Sequence, residues 1–211
     1  MADWVTISSL ATAGGTLVLA GATFASVRSA NHAARVAERS LLVGLRPVLV
    51  PARPEDPPQR IDFAEGFVMR VPGGKAALEE HDGDYFVGIP VRNVGAGLAV
   101  LRGWFMFPGR VSGADATHAD PSEFRTTVRD NYVPAGDVGF WQAAIRADDD
   151  RFRPAVSQAM SEHGTLTIDV LYGDHEGGQL TVTRFVMLPH DDVWRAGVGR
   201  HWILDREERQ P

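Results

Sequence analysis

The sequence predicts a mainly β protein: an N-terminal transmembrane helix continuing into an amphipathic helix, then an antiparallel β-sandwich with one short helix. Three observations lead there. The 24 residues from Trp4 to Val27 carry no ionisable side chain. Beyond Arg60 the apolar residues recur with period two, the spacing of half-buried strands. Clusters of Gly, Pro, Asn and Asp punctuate those runs. The expected parts are a membrane anchor over 1–27, a juxtamembrane helix over 28–45 and the β-domain over 46–211.

Composition agrees with a packed globule, at 44% hydrophobic and 23% charged residues in a chain of 211. Against 21 basic residues stand 27 acidic ones, a formal charge of −6, which argues against a nucleic-acid partner held by a basic surface. The absence of cysteine excludes disulfides, thiolate metal sites and a cysteine nucleophile. Only Lys75 is lysine among the basic residues, a bias suggesting a GC-rich bacterial coding sequence.

An α-helix rises about 1.5 Å per residue, so about 20 residues cross a hydrocarbon core of about 30 Å. The segment from Trp4 to Val27 fits with room for tilt. Its Thr, Ser and Gly residues are common in membrane helices, and Trp4 falls at the expected interface. A cleaved signal peptide would need a basic start, which Met1-Ala2-Asp3 lacks, although Ala20-Gly21-Ala22 could serve as a cleavage site. A buried core helix would rarely stay uncharged for so long. Ala11 and Gly15, like Gly21 and Ala25, are small residues four apart, a spacing that allows self-association through this helix.

Arg28, His32, Arg35 and Arg39 step by four, three and four, onto one helix face. Arg28, Arg35 and Arg39 are candidates for contact with anionic lipid headgroups. Gly44 and the Arg46-Pro47 step end the helix, because a residue before proline disfavours the helical region. Arg53 to Pro58 reads as a stiff connector or the first loop of the domain.

In the domain, Tyr85, Val87, Ile89 and Val91 alternate with Phe86, Gly88, Pro90 and Arg92, predicting a strand with one buried face; Pro90 argues for an edge or bulge. Leu98–Phe107 reads as a central strand, and 165–172 and Leu180–Leu188 as two more. Weaker strands are expected over Arg46–Val50, Phe67–Val71, Phe124–Val133 and Val138–Ile145. One helix spans about Pro154 to His163, with Gly164 as its stop.

Four motifs stand in order along the chain: Arg46-Pro47; Asn93-Val94-Gly95-Ala96-Gly97-Leu98-Ala99; Tyr172 to Gly177; and His201-Trp202-Ile203-Leu204-Asp205. Together with the N-terminal span and the Ala/Arg helix, this pattern resembles a family of actinobacterial membrane-anchored proteins with no assigned activity. The resemblance covers most of the chain and implies the architecture without implying chemistry.

Tests for chemistry find little. Gly95-Ala96-Gly97 has Val100 where a dinucleotide fingerprint needs glycine, and a strand follows instead of a helix. The histidines form no spaced metal set. The acidic runs at Glu79–Asp84, Asp148–Asp150 and His190–Asp192 read as solvated loops. No catalytic residue, metal or cofactor is assigned. The most site-like element is the hairpin from Asp169 to Arg184: Asp174, His175 and Glu176 crowd its turn, while Asp169 and Arg184 could pair across it. These five are the candidate ligand or partner contacts, and Trp202 is expected to pack in the core. The expected function is a single-pass bacterial membrane protein whose cytoplasmic β-sandwich binds or scaffolds an unidentified protein partner. The rivals are a membrane-anchored enzyme of unrecognised type, hydrolases included, and an exported β-domain released by signal cleavage.

Overall fold

The computed structural model describes residues 3–64, 66–113, 116–146 and 150–207, and the chain divides into two units at Gly44/Leu45. The first unit is a single helix, α1 (Trp4–Gly44), so the apolar and amphipathic segments are one uninterrupted element. Its stretch from Ser8 to Glu38 is long and apolar enough to cross a membrane, and none of it is buried. Leu17, Val18, Leu19 and Phe24 are each at least 69% exposed. The hydroxyls of Thr12, Thr16 and Thr23 donate to the carbonyls of Ser8, Thr12 and Leu19, one turn back. Hydroxyls bonded within the helix suit an apolar medium. The side chains of Trp4, Ala11 and Arg39 lie outside the described residues; Arg28 and Arg35 are exposed.

The second unit is the β-domain. Its strands are β1 (Leu49–Pro51), β2 (Gln59–Asp62), β3 (Val68–Val71), β4 (Lys75–His81), β5 (Asp84–Asn93), β6 (Ala99–Pro108), β7 (Arg125–Val133), β8 (Val138–Ile145), β9 (Leu166–Gly173), β10 (Leu180–His190) and β11 (Val193–Ile203). Two helices accompany them: α2 (Arg153–Ser161) and the single turn α3 (Leu204–Glu207). One antiparallel layer holds β8 beside β5, whose other side pairs with β4 and then β1. The other runs β11-β10-β9-β6-β7. A two-residue ladder, Trp194 to Ala76 and Arg195 to Lys75, joins the layers at one corner. The sheet thus curls into a sandwich-like body around Val87, Ile89, Leu101, Trp104, Trp141, Val170, Phe185 and Met187, and α2 closes it with Val156 and Ala159.

Several expectations are corrected. The strand carrying Pro90 is central and buried on both faces. The β2–β3 hairpin covers its outer face with Ile61, Phe63 and Met69, packed on Phe86. The Pro90 carbonyl accepts from Ala52 N, so its missing N–H points the same way, into the gap where β4 ends at Gly88 and β1 begins at Val91. A proline costs no ladder bond there. Glu79–Asp84 is no loop: it is the tip of the β4–β5 hairpin, turned by Asp82 and Gly83 with φ of 51° and 84°, the signature of a type I′ turn. His190–Asp192 is likewise the β10–β11 turn, with His190 opposite Val193. Of the third acidic run, Asp148 and Asp149 lie outside the described residues. Arg53–Pro58 is the first loop of the domain, where Asp56 accepts from Arg53 N and pairs with Arg92. The left-handed residue ending α2 is His163 (φ 47°), not Gly164, and its ring packs 4.5 Å from that of Trp194. Strands β2, β4 and β11 escape the period-two reading because their sequences are polar or broken by Gly and Arg.

Candidate functional site

The predicted hairpin pair forms. Asp169 and Arg184 stand opposite each other on β9 and β10, with Arg184 Nε and Nη2 each 2.7 Å from a different Asp169 oxygen. They are 0% and 2% exposed although they point away from the core. A strap between β6 and β7 covers them: Ala119 N donates to Asp169 Oδ2, and Arg184 Nη2 donates to the Thr117 carbonyl. Thr167 on β9 completes the attachment, donating to Gly109 O and accepting from Val111 N. The pair therefore pins a loop across the sheet.

The other hairpin candidates diverge from it. Asp174 is buried and accepts from Gln179 N, closing its own turn, while its carbonyl accepts from Arg102. His175 and Glu176 are exposed, 4.0 Å apart, and face solvent. The five candidates do not converge on one site.

What does converge is a set of residues that the four motifs supply. Arg46 makes a two-pronged pair with Asp205 at 2.7 and 2.8 Å, and Asp205 Oδ1 also accepts from Leu180 N. Asn93 accepts from Val48 N and Gly95 N and donates to Gly97 O and Val133 O. A Cβ at Gly95 would collide with the Arg46 carbonyl, and one at Gly97 with the Leu45 carbonyl. Both positions need glycine because the backbone of 45–48 lies against that loop. Tyr172 Oη accepts from Leu49 N and bonds Thr183 Oγ1, which bonds His201 Nδ1 at 2.7 Å. Burial pushes the Tyr172 phenol up and holds the His201 imidazolium down. Burial also works against the Asp205 carboxylate, but its bonds from Arg46 and Leu180 N outweigh that and leave its pKa below the usual range. The motifs thus form a clasp that fastens the start of the domain to its end. Among the described residues its side chains bond one another and the backbone, with Arg46 Nε the atom left without a hydrogen-bond partner, an arrangement that reads as structural.

Two openings are found among the described residues of the β-domain. The larger, about 500 Å³, is a groove where β7 and β8, the two edge strands, part company above their shared turn. Trp104 forms its floor, Arg125, Thr126 and Asn131 one wall, and Gln142 and Ala144 the edge of β8. Arg125 is engaged with Asp150 at 2.7 and 2.9 Å and lies over the Trp104 ring. Gln142 Oε1 is buried without a hydrogen-bond partner among the described residues. The smaller opening, about 250 Å³, lies under the strap beside β11. Trp202, expected in the core, lines this outer pocket instead. No group of three or more potential metal ligands occurs among the described residues.

No protein-family model and no curated protein matches the chain. Among solved structures, a protein from Archaeoglobus fulgidus is similar at 12% identity and a TM-score of 0.24, over 61% of this chain and 93% of that one. A likeness at that level carries no argument about function.

Proposed function

We propose that this is a single-pass membrane protein whose β-domain lies in the cytoplasm and binds an extended segment of a partner protein along the free edge of β8. The membrane part rests on the exposed apolar helix α1, with Arg28 and Arg35 placed to meet anionic headgroups and Gly15 and Gly21 bare enough for close contact with a second copy. The observation that carries the binding part is the edge itself. Natural edge strands are usually blunted by lysine, proline or inward charges. The β8 sequence VGFWQAAI has none of these, pairs with β5 alone among the described residues, and opens into the groove.

Strand addition gains main-chain hydrogen bonds for affinity and pockets on alternate sides for specificity. Because the Pro90 carbonyl faces β1, alternation turns the neighbouring Ile89 and Val91 groups toward β8, where they meet Trp141 and Gly139. The backbone groups of Gln142 and Ala144 then point outward, into the groove. Trp104 on the floor and the Gln142 amide at the edge are recognition groups of the apolar and polar kinds.

The test uses that register. In intact membranes, a photo-crosslinker at Asn131 should trap a partner whose crosslinked peptide, read by mass spectrometry, is an extended segment. Gln142→Pro removes one outward N–H without touching the β5 ladder and should abolish the crosslink, whereas Gln142→Thr should keep it. A crosslink unchanged in a folded Gln142→Pro protein would refute strand addition.

A further inference from the structure

The clasp contains a hydrogen-bond chain whose direction is fixed. Leu49 N–H can only donate, and it does so to Tyr172 Oη at 3.1 Å. The phenol oxygen lies 2.8 Å from Thr183 Oγ1, which in turn lies 2.7 Å from His201 Nδ1. Both hydroxyls have an acceptor only if Tyr172 donates to Thr183 and Thr183 donates to a bare Nδ1. That arrangement requires a neutral imidazole with its proton on Nε2. Tyr172 and Thr183 are both 0% exposed, whereas His201 is exposed. The chain thus runs from a residue that solvent protons reach, through the interior, to the first strand of the domain.

We propose that this chain is a proton-operated latch, in which protonation of His201 releases residues 45–51 while the rest of the β-domain stays folded. An imidazolium offers an N–H to Thr183, so the chain must reverse or break. If Thr183 turns to donate to Tyr172, the phenol receives two bonds and its own proton has no acceptor among the described residues. If Thr183 does not turn, two donors face each other. Either outcome leaves a buried donor unpaired, which is costly. Lifting Leu49 away admits water beside Tyr172, and water supplies the missing acceptor. The lift is local because β1 pairs with β5 over three residues, whereas β9 and β10 pair over eight.

The charges around the chain leave His201 as the trigger. Arg46 and Asp205 neutralise each other, and β1 brings only Leu49, Val50 and Pro51. Arg200, next to His201 on β11, lines the opposite face with Arg184, which Asp169 pairs. Desolvation of the ring holds the His201 pKa below its ordinary 6.5, and release restores the ordinary value. The open form therefore binds the proton more tightly: the latch is closed above about pH 6.5 and opens as the pH falls toward the folded value. The Asp205 carboxylate, with its pKa lowered from 3.8, stays charged throughout that window.

The test is hydrogen–deuterium exchange read by mass spectrometry on the full chain in phosphatidylcholine nanodiscs, at pH 7 and pH 5, with times scaled for intrinsic exchange. The reporters are the amides of Val48 and Leu49, which donate to Asn93 and Tyr172. Their opening should rise about tenfold at the lower pH, while peptides from β6 keep their protection. His201→Asn and His201→Gln, whose amide oxygens accept from Thr183 without titrating, should abolish the difference. Tyr172→Phe cuts the chain and should leave 45–51 equally open at both pH values, with a cooperative melt verifying that the domain folds. Unchanged exchange at 45–51 in the unmodified chain would overturn the latch. So would a rise in β6 as large as that at 45–51, or a pH response that persists in both His201 variants.

Discussion

A carboxylate and a guanidinium that leave water together depend on each other, and Asp169 with Arg184 is the case here. Both are essentially inaccessible, and both carboxylate oxygens accept hydrogen bonds. Removing one partner of such a pair costs about 3–5 kcal/mol, because the survivor is left buried and uncompensated. Asp169→Asn should therefore lower stability by that order in denaturant unfolding, and the double change Asp169→Asn/Arg184→Met should regain much of the loss. Equal losses in the single and double variants would show that the pair matters only as packing volume. The pairing itself was legible in the sequence, since the two residues face each other across a hairpin whose alternation is clear. Its burial was not. The sequence around Gly109–Val111 and Thr117–Ala119 has no periodicity, so nothing in it says that these residues cover the pair.

At the scale of elements, the clasp decides how the domain is closed. Its motifs could each be seen in the sequence, but Arg46 and Asp205 are 159 positions apart and no local pattern joins them. At Gly95 and Gly97 the reason for glycine is the chain segment pressed against them. The clasp also predicts a pH response. Leu49 N–H donates to Tyr172, leaving the phenol to donate to Thr183 and the threonine to donate to a neutral His201. With the folded pKa of His201 held below its ordinary 6.5, the unfolded chain takes up the proton first. Stability is then complete above about pH 6.5 and declines as the pH falls toward the folded value. Asp205 acts in a lower window: its stabilisation is present above its ordinary 3.8 and is lost below it. Melting temperature should fall from pH 7 to pH 5, and less steeply in His201→Asn, whose amide oxygen can still accept from Thr183. Parallel slopes for the two proteins would remove His201 as the cause.

At the scale of the whole molecule, the two units make separate predictions. The clasp and β1 set the beginning of the β-domain at Leu45, so a fragment of residues 45–211 should fold alone, with strand signal in circular dichroism and cooperative melting. A fragment starting at Ala52 lacks Arg46, Leu49 and β1 and should not; if both melt alike, the clasp contributes nothing to folding. The helix predicts sidedness. Positive charge near a span is retained in the cytoplasm. Arg28, Arg35 and Arg39 follow the span closely, with Glu38 the only acid among them. Insertion with the β-domain outside would carry those arginines across against the bias. Each charged side chain at the centre of a spanning helix costs about 2.5–3.5 kcal/mol on insertion scales, so the apolar stretch must stop before Arg28. Two reporters fused after Pro211, one active only in the cytoplasm and one only outside, read the result directly. The cytoplasmic reporter should be active and the external one silent, and changing Arg28, Arg35 and Arg39 to glutamine should shift part of the population outward. Activity of the external reporter alone in the unmodified chain would reverse the orientation and place both openings of the β-domain on the outer side.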